Sequence, residues 1–327
     1  MIRIENLVKR YGDKLAVDNV SFTVEEGEIV GFLGPNGAGK STTMNILTGY
    51  LSSTSGKAFI NDKDILDSPM EAKKLIGFLP EQPPLYLDMT VEEYLNFVYD
   101  LKGCTLNRKK HLAEICEVVQ ITGVYRRLIR NLSKGYKQRV GIAQALVGNP
   151  KVVIFDEPTV GLDPKQIIEI RNLISMLGRD HTVILSTHIL PEAQAVCDRI
   201  VIINEGKIVA NEKREDLQNL IGGNRRFEAH ICGPKKEILS AIREINGVSY
   251  VEMLGGGELD STSFLIESQL GIDIRKSLFN RMASNGWQIV SLTSLGVALE
   301  DIFISLVDKA KDSGKKSVKI KLEGSQK

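Results

Sequence analysis

The chain has 327 residues, of which 43% are hydrophobic and 25% are charged, and its formal net charge is +1 at pH 7. This balance is typical of a folded globular protein and excludes a disordered or fibrous chain. The near-neutral charge gives no global field that would attract nucleic acid, and the length predicts two domains.

Short apolar segments dominate the start of the chain. Residues 2–8 and 20–24 lie on either side of a turn at Gly12, which predicts a small antiparallel sheet. Residues 28–33 predict a buried strand, which a glycine-rich turn joins to a helix beginning near Gly39. A second hairpin over 56–65 and a short strand over 76–79 are predicted next.

Helical periodicity begins at Leu85 and continues to about Ile129, with apolar residues at i, i+3, i+4 and i+7 spacing. It predicts a helical subdomain of about 85–135 inserted into an α/β core. The runs 152–155 and 183–187 are apolar and β-branched without alternation, as in strands buried on both faces of a parallel sheet. Predicted helices over 135–148 and 164–178 precede these two strands, which gives βαβ crossovers.

A domain boundary is predicted near residue 222. A hairpin over 200–210 and a helix to about residue 220 lead to a linker, Gly222-Gly223-Asn224. The first domain therefore spans 1–222. The second, 223–308, predicts a small α/β domain without evident chemistry, with strands over 226–231, 248–253, 262–267 and 287–292 and helices over 235–245 and 271–285.

The last segment, 309–327, is basic. It carries seven lysines against Asp312 and Glu323. This composition predicts a flexible solubilising tail, with a weak contact to anionic lipid or RNA as the alternative.

Cysteine usage and hydropathy indicate a cytosolic protein. The four cysteines are widely scattered and predict reduced thiols. The longest charge-free run, 282–299, is interrupted by polar residues, so it fails as a membrane span of about 20 mostly apolar residues. The N-terminal residues lack the apolar stretch of a signal peptide.

A phosphate-binding loop is the strongest motif. The segment 34–41 fits G-x-x-x-x-G-K-[ST] and lies between a predicted strand and a predicted helix, where its backbone N–H groups can wrap phosphates. Lys40 is expected to contact the β and γ phosphates, and the Ser41 hydroxyl to bind Mg²⁺. The predicted nucleotide-binding residues here are Gly34, Pro35, Asn36, Gly37, Ala38, Gly39, Lys40, Ser41 and Thr42.

Two carboxylates follow the predicted strand 152–155. Asp156 lies at its carboxyl end, where ligands bind in open α/β sheets, and is expected to hold Mg²⁺. Glu157 is expected to face the attacking water, either as a general base or to polarise it. A helix cap is the alternative for such carboxylates, and the upstream phosphate loop favours the functional interpretation.

These motifs, with others in a fixed order, resemble the ATP-binding-cassette (ABC) ATPase family over about residues 1–220. Residues 132–136 (LSKGY) stand where that family has its LSGGQ signature, and 156–159, a Gly161-Leu162-Asp163 turn and His188 follow. The resemblance implies a P-loop NTPase fold of ABC type. That fold has a mixed, mostly parallel sheet, an N-terminal antiparallel β subdomain and an inserted helical subdomain.

The resemblance also assigns roles to single residues. Tyr11 would stack on adenine, with a buried core tyrosine as the alternative, and His188 would contact the γ-phosphate. Glu81 is preferred by position as the glutamine-loop residue that reaches Mg²⁺ or water, with its neighbour Gln82 as the alternative. The remaining histidines are assigned to surface or helix positions without a role: His111, His181 and His230.

The signature implies a second copy of the cassette. In the family, ATP lies between the phosphate loop of one cassette and the signature of another, which implies a two-fold dimer with Asp163 near the interface. Ser133, Lys134 and Gly135 would then contact the partner's nucleotide, although Ser133 could be only a helix cap. Lys134 and Tyr136 depart from the family's glycine and glutamine.

The implied function is that of an ATP-hydrolysing subunit, using ATP and Mg²⁺, that powers separate multi-span permease subunits. The combined motifs resemble the export-type branch, and residues 83–93 with the adjacent helices are candidates for permease contact. The protein would be cytoplasmic and peripheral on the membrane, with no nucleic-acid partner. The alternatives are a soluble ABC ATPase acting on ribosomes or DNA, and a nucleotide-gated clamp that does not hydrolyse ATP.

Overall fold

Two compact units make up the chain, Met1–Leu217 and Gln218–Lys327. The computed structural model describes residues 1–216, 225–256, 261–269 and 272–295. The predicted linker at 222–224 and the predicted basic tail at 309–327 lie outside the described residues.

The first unit has ten strands and seven helices among its described residues. The strands are β1 (Ile2–Tyr11), β2 (Lys14–Val24), β3 (Ile29–Leu33), β4 (Ser55–Ile60), β5 (Lys63–Asp64), β6 (Ile76–Leu79), β7 (Val152–Asp156), β8 (Thr182–Thr187), β9 (Arg199–Asn204) and β10 (Lys207–Lys213). The helices are α1 (Lys40–Leu47), α2 (Pro69–Lys74), α3 (Val91–Leu101), α4 (Arg108–Val118), α5 (Lys134–Leu146), α6 (Pro164–Leu177) and α7 (Leu190–Val196).

An antiparallel sheet with the order β2-β1-β4-β5 contains the N-terminal strands. The predicted antiparallel sheet is confirmed, and its first two strands are longer than predicted. They continue to a tight turn, where Tyr11 pairs with Lys14. Alternating burial along β1 and β2 places one face of this sheet in the core.

The second sheet positions the candidate site. Its order is β10-β9-β3-β8-β7-β6, with β9 to β6 parallel and β10 antiparallel at the edge. Every residue of β3, β7 and β8 is buried, as predicted from their unbroken apolar runs. Because parallel strands end at one edge, the segments after β3, β7 and β8 lie side by side.

The inserted helical segment is less continuous than predicted. Residues 85–90 are not helical, because a capping box starts α3 at Val91: the Thr90 hydroxyl accepts from the Glu93 N–H, and the Glu93 carboxylate accepts from the Thr90 N–H. Beyond α4, single 3₁₀ turns at Thr122–Val124 and Ile129–Asn131 lead to α5.

The second unit is an antiparallel sheet with two helices. In chain order its elements are β11 (Arg225–Cys232), α8 (Lys235–Arg243), β12 (Val248–Gly256), β13 (Ser261–Ser268), α9 (Arg275–Ser284) and β14 (Gln288–Leu295). The predicted order of strands and helices is confirmed, although α9 begins at Arg275 rather than at 271. The sheet order β12-β13-β11-β14 with this connectivity is the ferredoxin-like βαββαβ arrangement.

A separate hydrophobic core holds the second unit together. It joins the inner face of the sheet, with Phe227 and Phe264, to Ile238 of α8 and Leu278 of α9. All four side chains are almost completely buried. Within the stretches that the structure describes, none of the helices in either unit combines the length and hydrophobicity needed to cross a bilayer.

The three histidines predicted to lack a role differ in position. The surface-or-helix assignment of His181 is wrong: it precedes β8, is buried, and its Nδ1 lies 2.7 Å from the Pro150 carbonyl oxygen. His111 lies on α4, where its Nε2 accepts from the Gly148 N–H. His230 lies half-buried on β11.

Candidate active site

The loop between β3 and α1 curls into a phosphate-sized cradle. Gly39, the residue before α1, has a φ of 109°, and a Cβ there would lie 2.6 Å from the Ala16 carbonyl oxygen. Only glycine fits this conformation and this close approach. The loop is also tied to the neighbouring strand, because the Gly34 N–H donates to the Thr187 carbonyl at 3.3 Å.

A cleft of about 560 Å³ opens over this loop. It combines two lysines, two carboxylates, a histidine and an aromatic ring with residues of the phosphate loop, which suits a nucleotide. Its lining consists of Tyr11, Lys14, Ala16, Asn36, Gly37, Gly39, Lys40, Ser41, Thr42, Glu81, Glu157, Val160 and His188.

Lys40 is the buried cation of the cleft. It is 6% exposed, and its ammonium donates to the carbonyl oxygens of Gly34 at 2.8 Å and Pro35 at 3.3 Å. Its Nζ also lies 3.3 Å from Oε1 of Glu157. Of the predicted loop residues, Gly34, Pro35 and Ala38 do not line the cleft, and the first two hold the lysine through their carbonyl groups.

Glu157 and His188 contact each other at the wall of the cleft. Nδ1 of His188 lies 3.0 Å from both carboxylate oxygens of Glu157. Glu157 has a φ of 50°, a left-handed conformation that costs a non-glycine residue roughly 1 kcal/mol or more. Its N–H donates to the Ser186 carbonyl of β8, so backbone pairing holds the strained residue in place.

Asp156 and Ser41 offer the oxygen ligands that Mg²⁺ prefers. Asp156 ends β7 and is 3% exposed, and its Oδ1 accepts a hydrogen bond from the Ser186 hydroxyl. Ser41 lies in the first turn of α1 and lines the cleft. A carboxylate and a hydroxyl at neighbouring strand and helix ends fit a magnesium site by their chemistry.

Tyr11 and Glu81 approach the cleft from two other elements. Tyr11 ends β1 and is 47% exposed, which rules out the alternative of a core tyrosine. The Lys9 ammonium lies over the Tyr11 ring, with Nζ 5.3 Å from the ring centroid. Glu81 lines the cleft, whereas the adjacent Gln82 does not, so the geometry favours the residue preferred by position.

The signature segment lies away from this cleft. Ser133 caps α5 by accepting from the Tyr136 N–H at 3.4 Å, and with Gly135 it lines a separate cavity of about 240 Å³. Lys134 is exposed at the first position of α5. Asp163 caps α6 by accepting from the Gln166 N–H at 2.9 Å. Within one chain, none of Ser133, Lys134 and Asp163 lines the phosphate-loop cleft.

Sequence reasoning missed three residues of the lining: Lys14, Ala16 and Val160. Lys14 and Ala16 lie two positions apart on β2, so they share a face of the strand that follows the Tyr11 turn. That alternation is a usable signal once the turn is known. Val160 follows the carboxylates in a loop, and its position depends on the loop's conformation rather than on any periodicity.

A glycine-rich loop at a helix N-terminus, a buried lysine and a carboxylate–histidine pair at one sheet edge define a nucleotide hydrolase of the P-loop class. Comparison with known proteins narrows this class. Residues 17–160 match the family described as ABC transporter.

Relatives match over nearly the whole chain. The Linearmycin resistance ATP-binding protein LnrL of Bacillus subtilis (strain 168) is 34% identical over 94% of this chain and 99% of its own length. The Bacitracin transport ATP-binding protein BcrA of Bacillus licheniformis is 31% identical over 94% of this chain and 97% of its own.

Solved structures agree with this likeness. A dimeric structure of MJ0796, described as a bacterial ABC transporter cassette, covers 65% of this chain and 99% of its own, with a TM-score of 0.60 and 31% identity. A post-hydrolysis state of the same cassette bound to ADP and Pi matches equally well, at a TM-score of 0.60 and 30% identity. This chain belongs to the ABC transporter ATP-binding proteins, and it is an ATPase.

Proposed function

We propose that this chain hydrolyses MgATP with the residues that meet over the phosphate loop. Lys40 would bind the β and γ phosphates, Tyr11 would stack on adenine, and Ser41 and Asp156, with Glu81 nearby, would hold Mg²⁺. The observation that best supports this proposal is that Nζ of Lys40 and Nδ1 of His188 lie 3.3 and 3.0 Å from the Glu157 carboxylate. When bound, Mg²⁺ would offset phosphate charge.

In this arrangement Glu157 accepts a proton from the attacking water. A phosphate group at Lys40 competes for the ammonium and so leaves the Glu157 oxygens to water. His188 orients the carboxylate through Nδ1, while its other ring nitrogen is the one that can reach a γ-phosphate. Lys40 and Glu157 are both buried, so little water screens their charges, and their electrostatic interactions with phosphate and with the attacking water are stronger.

The proposal includes a second cassette. Members of this family dimerise, and Ser133, Lys134 and Gly135 lie on a surface separate from the cleft. A two-fold dimer would bring that surface onto the partner's nucleotide, with Asp163 near the interface. The second cassette would be another copy of this chain or a close relative.

We further propose that the chain drives export through a separate membrane permease, at the cytoplasmic face of the membrane. Proteins of this family work with permease components. The resistance and transport proteins LnrL and BcrA support an antibiotic or a drug as the cargo. Exposed Tyr86 and Leu87 before α3, with Phe97 on α3, form an apolar patch within or beside residues 83–93 that suits permease contact.

Hydrolysis by the purified full chain tests the site. Glu157→Gln keeps size and removes the base, so kcat is expected to fall by about 10²–10⁴-fold while MgATP binding persists. Glu81→Gln serves as the matched carboxylate control in the same cleft, and a smaller loss is expected. Full hydrolysis by Glu157→Gln would contradict the proposed base. A wild-type chain that binds MgATP without turnover would favour the nucleotide-gated clamp.

Co-purification from gently solubilised membranes tests the partner. Mass spectrometry is expected to identify one or two multi-span proteins with the tagged wild-type chain. The double variant Tyr86→Ser/Phe97→Ser is expected to lose them, whereas Tyr50→Ser, at a tyrosine that is 83% exposed elsewhere on the unit, is expected to retain them. Recovery of ribosomes or DNA-binding factors instead would favour the soluble ATPase.

A further inference from the structure

A buried carboxylate outside the cleft connects the two segments that carry Glu157 and His188. Glu192 lies in the first turn of α7 and is 3% exposed. With Thr159, Thr187 and Arg171 it forms what we call the Glu192 cluster. The assigned roles use none of these four residues, although a buried glutamate is costly without such partners.

One oxygen of Glu192 receives both threonine hydroxyls. Oε2 accepts from Oγ1 of Thr159 at 2.6 Å and from Oγ1 of Thr187 at 3.3 Å. Thr159 is the second residue after Glu157, and Thr187 directly precedes His188. A single carboxylate oxygen thus connects Thr159 and Thr187, and through them the two segments that carry Glu157 and His188.

The Thr187 hydroxyl extends this connection around His188. While it donates to Glu192, its Oγ1 also accepts from the Ile189 N–H at 3.1 Å. The residues before and after His188 are therefore fixed to one hydroxyl. Rotation of the His188 backbone would break that bond, so the Glu192 cluster restrains the direction in which the imidazole points.

The other carboxylate oxygen of Glu192, Oε1, faces Arg171, a cation with one buried N–H that lacks a hydrogen bond among the described residues. The Arg171 guanidinium lies 3.8 Å from Oε1 of Glu192, and Nε of Arg171 is buried without a hydrogen-bond partner among the described residues. This pair supplies charge compensation at a distance beyond hydrogen bonding. The short contacts all run toward the active-site segments, which separates this arrangement from an ordinary buried ion pair.

We infer that Glu192 is a positioning residue for ATP hydrolysis: it locks the Thr159 and Thr187 segments together so that Glu157 and His188 present one fixed geometry to the attacking water. The inference rests on the roles proposed for Glu157 and His188. It concerns the chemical step, because none of the four side chains of the cluster lines the nucleotide cleft. The phosphate loop meets Thr187 through the backbone, where the Gly34 N–H donates to the Thr187 carbonyl oxygen, and not through the Thr187 hydroxyl that bonds Glu192.

Steady-state hydrolysis and binding of MgADP by calorimetry, on the full chain, separate this role from a structural one. Glu192→Ala is expected to lower kcat by about 10–100-fold, as expected for a shift near 1 Å at the reacting groups, with MgADP affinity changed by less than about threefold. Glu192→Gln keeps the shape and one acceptor oxygen, so a smaller loss of kcat is expected.

Glu28→Gln is the matched control. Glu28 is a partly buried carboxylate paired with Arg199 at 2.6 Å, at the opposite end of the parallel strands. Its loss is expected to lower the unfolding temperature and leave kcat unchanged. A Glu192→Ala chain that remains folded, with kcat like that of Glu28→Gln, would overturn the inference.

A double-mutant cycle decides the point even if Glu192→Ala does not fold. Thr159→Val and Thr187→Val remove single hydroxyls with little change in volume, and each is combined with Glu192→Gln. Losses in kcat that do not multiply would support action through the hydroxyls, whereas independent multiplication would contradict it. Glu157→Gln is assayed alongside: if it hydrolyses normally, the proposed roles fail regardless of the results at Glu192.

Discussion

Each of the two units carries a histidine beside a glutamate, and the surroundings of the two pairs differ. Nδ1 of His188 lies 3.0 Å from Glu157, whose side chain is 7% exposed, and Nε2 of His230 lies 3.3 Å from Glu228, whose side chain is 32% exposed. Glu157 also faces the Lys40 ammonium, whereas Glu228 accepts from the Ser263 hydroxyl. The same pair of residue types lines the cleft over the phosphate loop in one case and forms a partly exposed contact on a sheet in the other.

Sheet topology explains the difference. In the first unit, parallel strands end together and collect buried polar groups at one edge, including Asp156 and Ser186. In the described part of the second unit all strand pairs are antiparallel, so no edge there collects strand ends. The buried polar residues of its described part are the hydroxyl residues Ser261, Thr262, Ser263 and Ser268 of β13. A pair of reactive residue types therefore indicates function only where the fold brings further charged groups to it.

The largest effect is expected from removing Lys40, the cation that distinguishes the Glu157–His188 pair from the Glu228–His230 pair. Lys40→Ala takes away the buried charge beside Glu157 and should lower kcat/KM for ATP by about 10³-fold, as for other preorganised groups that stabilise phosphate charge. A malachite green assay of released phosphate measures the loss. The control is Lys9→Ala, which removes a cation over the Tyr11 ring that does not line the cleft, and a much smaller effect is expected. Comparable losses in the two variants would contradict the special role of Lys40.

The second unit is expected to respond to a core change without altering the chemistry. Phe264→Ala empties a fully buried position of its own core and should destabilise that unit by about 3–5 kcal/mol. Hydrolysis by the folded chain should remain unchanged, because none of the cleft residues belongs to this core. Denaturant unfolding and an ATPase assay at low temperature measure the two effects. A parallel loss of kcat would show that the second unit acts on the site.

Much of the first unit could be predicted because its signals are local. The phosphate loop needs glycines in a short segment, and the unbroken apolar runs of β3, β7 and β8 identify strands buried on both faces. The parallel arrangement then brings Glu157, the residue after β7, to Lys40 after β3. The second unit's strand and helix order was equally readable, because the alternation of strands and helices is also a local property.

The start of α3 could also be read locally: the helix predicted from Leu85 begins at Val91, because Thr90 and Glu93 form a capping box, a T-x-x-E pattern that overrides the apolar spacing. Features that depend on tertiary contacts were not readable. His181 is buried beside Pro150, a contact that no periodicity encodes. Glu192 looks in sequence like an acid that favours a helix N-terminus, and only the fold brings Thr159 and Thr187 to it.

Substituting the two histidines tests the comparison directly. His188→Ala removes the partner of Glu157 and should lower kcat by about 10²-fold. His230→Ala removes a partly exposed contact, and kcat and stability should stay within about twofold and 0.5 kcal/mol of the wild type. Steady-state kinetics and denaturant unfolding of both variants provide the measurement. Equal losses of activity would mean that burial beside Lys40 does not distinguish the two pairs.

Substitution of Lys102 tests whether a buried charge in the first unit can contribute to stability without contributing to hydrolysis. Its ammonium donates to the carbonyl oxygens of Gln144, Ala145 and Val147 at 2.9 to 3.0 Å, at the end of α5. Lys102→Met leaves these acceptors without that donor and should cost about 1–3 kcal/mol at pH 7. Hydrolysis should not change, because Lys102 does not line the cleft. Chemical unfolding and phosphate release measure the two properties.

The pH dependence of that stability cost sharpens the test. Burial lowers the pKa of Lys102 from 10.5 to about 8, so between these values the folded chain binds fewer protons at Lys102 than the unfolded chain does. The wild type's free energy of unfolding should therefore gain a contribution that grows from pH 8 toward 10.5, by up to about 3 kcal/mol, and the methionine variant lacks it. The stability gap between the two chains should widen over this range. A narrowing gap would mean that the three carbonyl groups hold the charged form more strongly than burial opposes it, and that the folded pKa of Lys102 lies above 10.5.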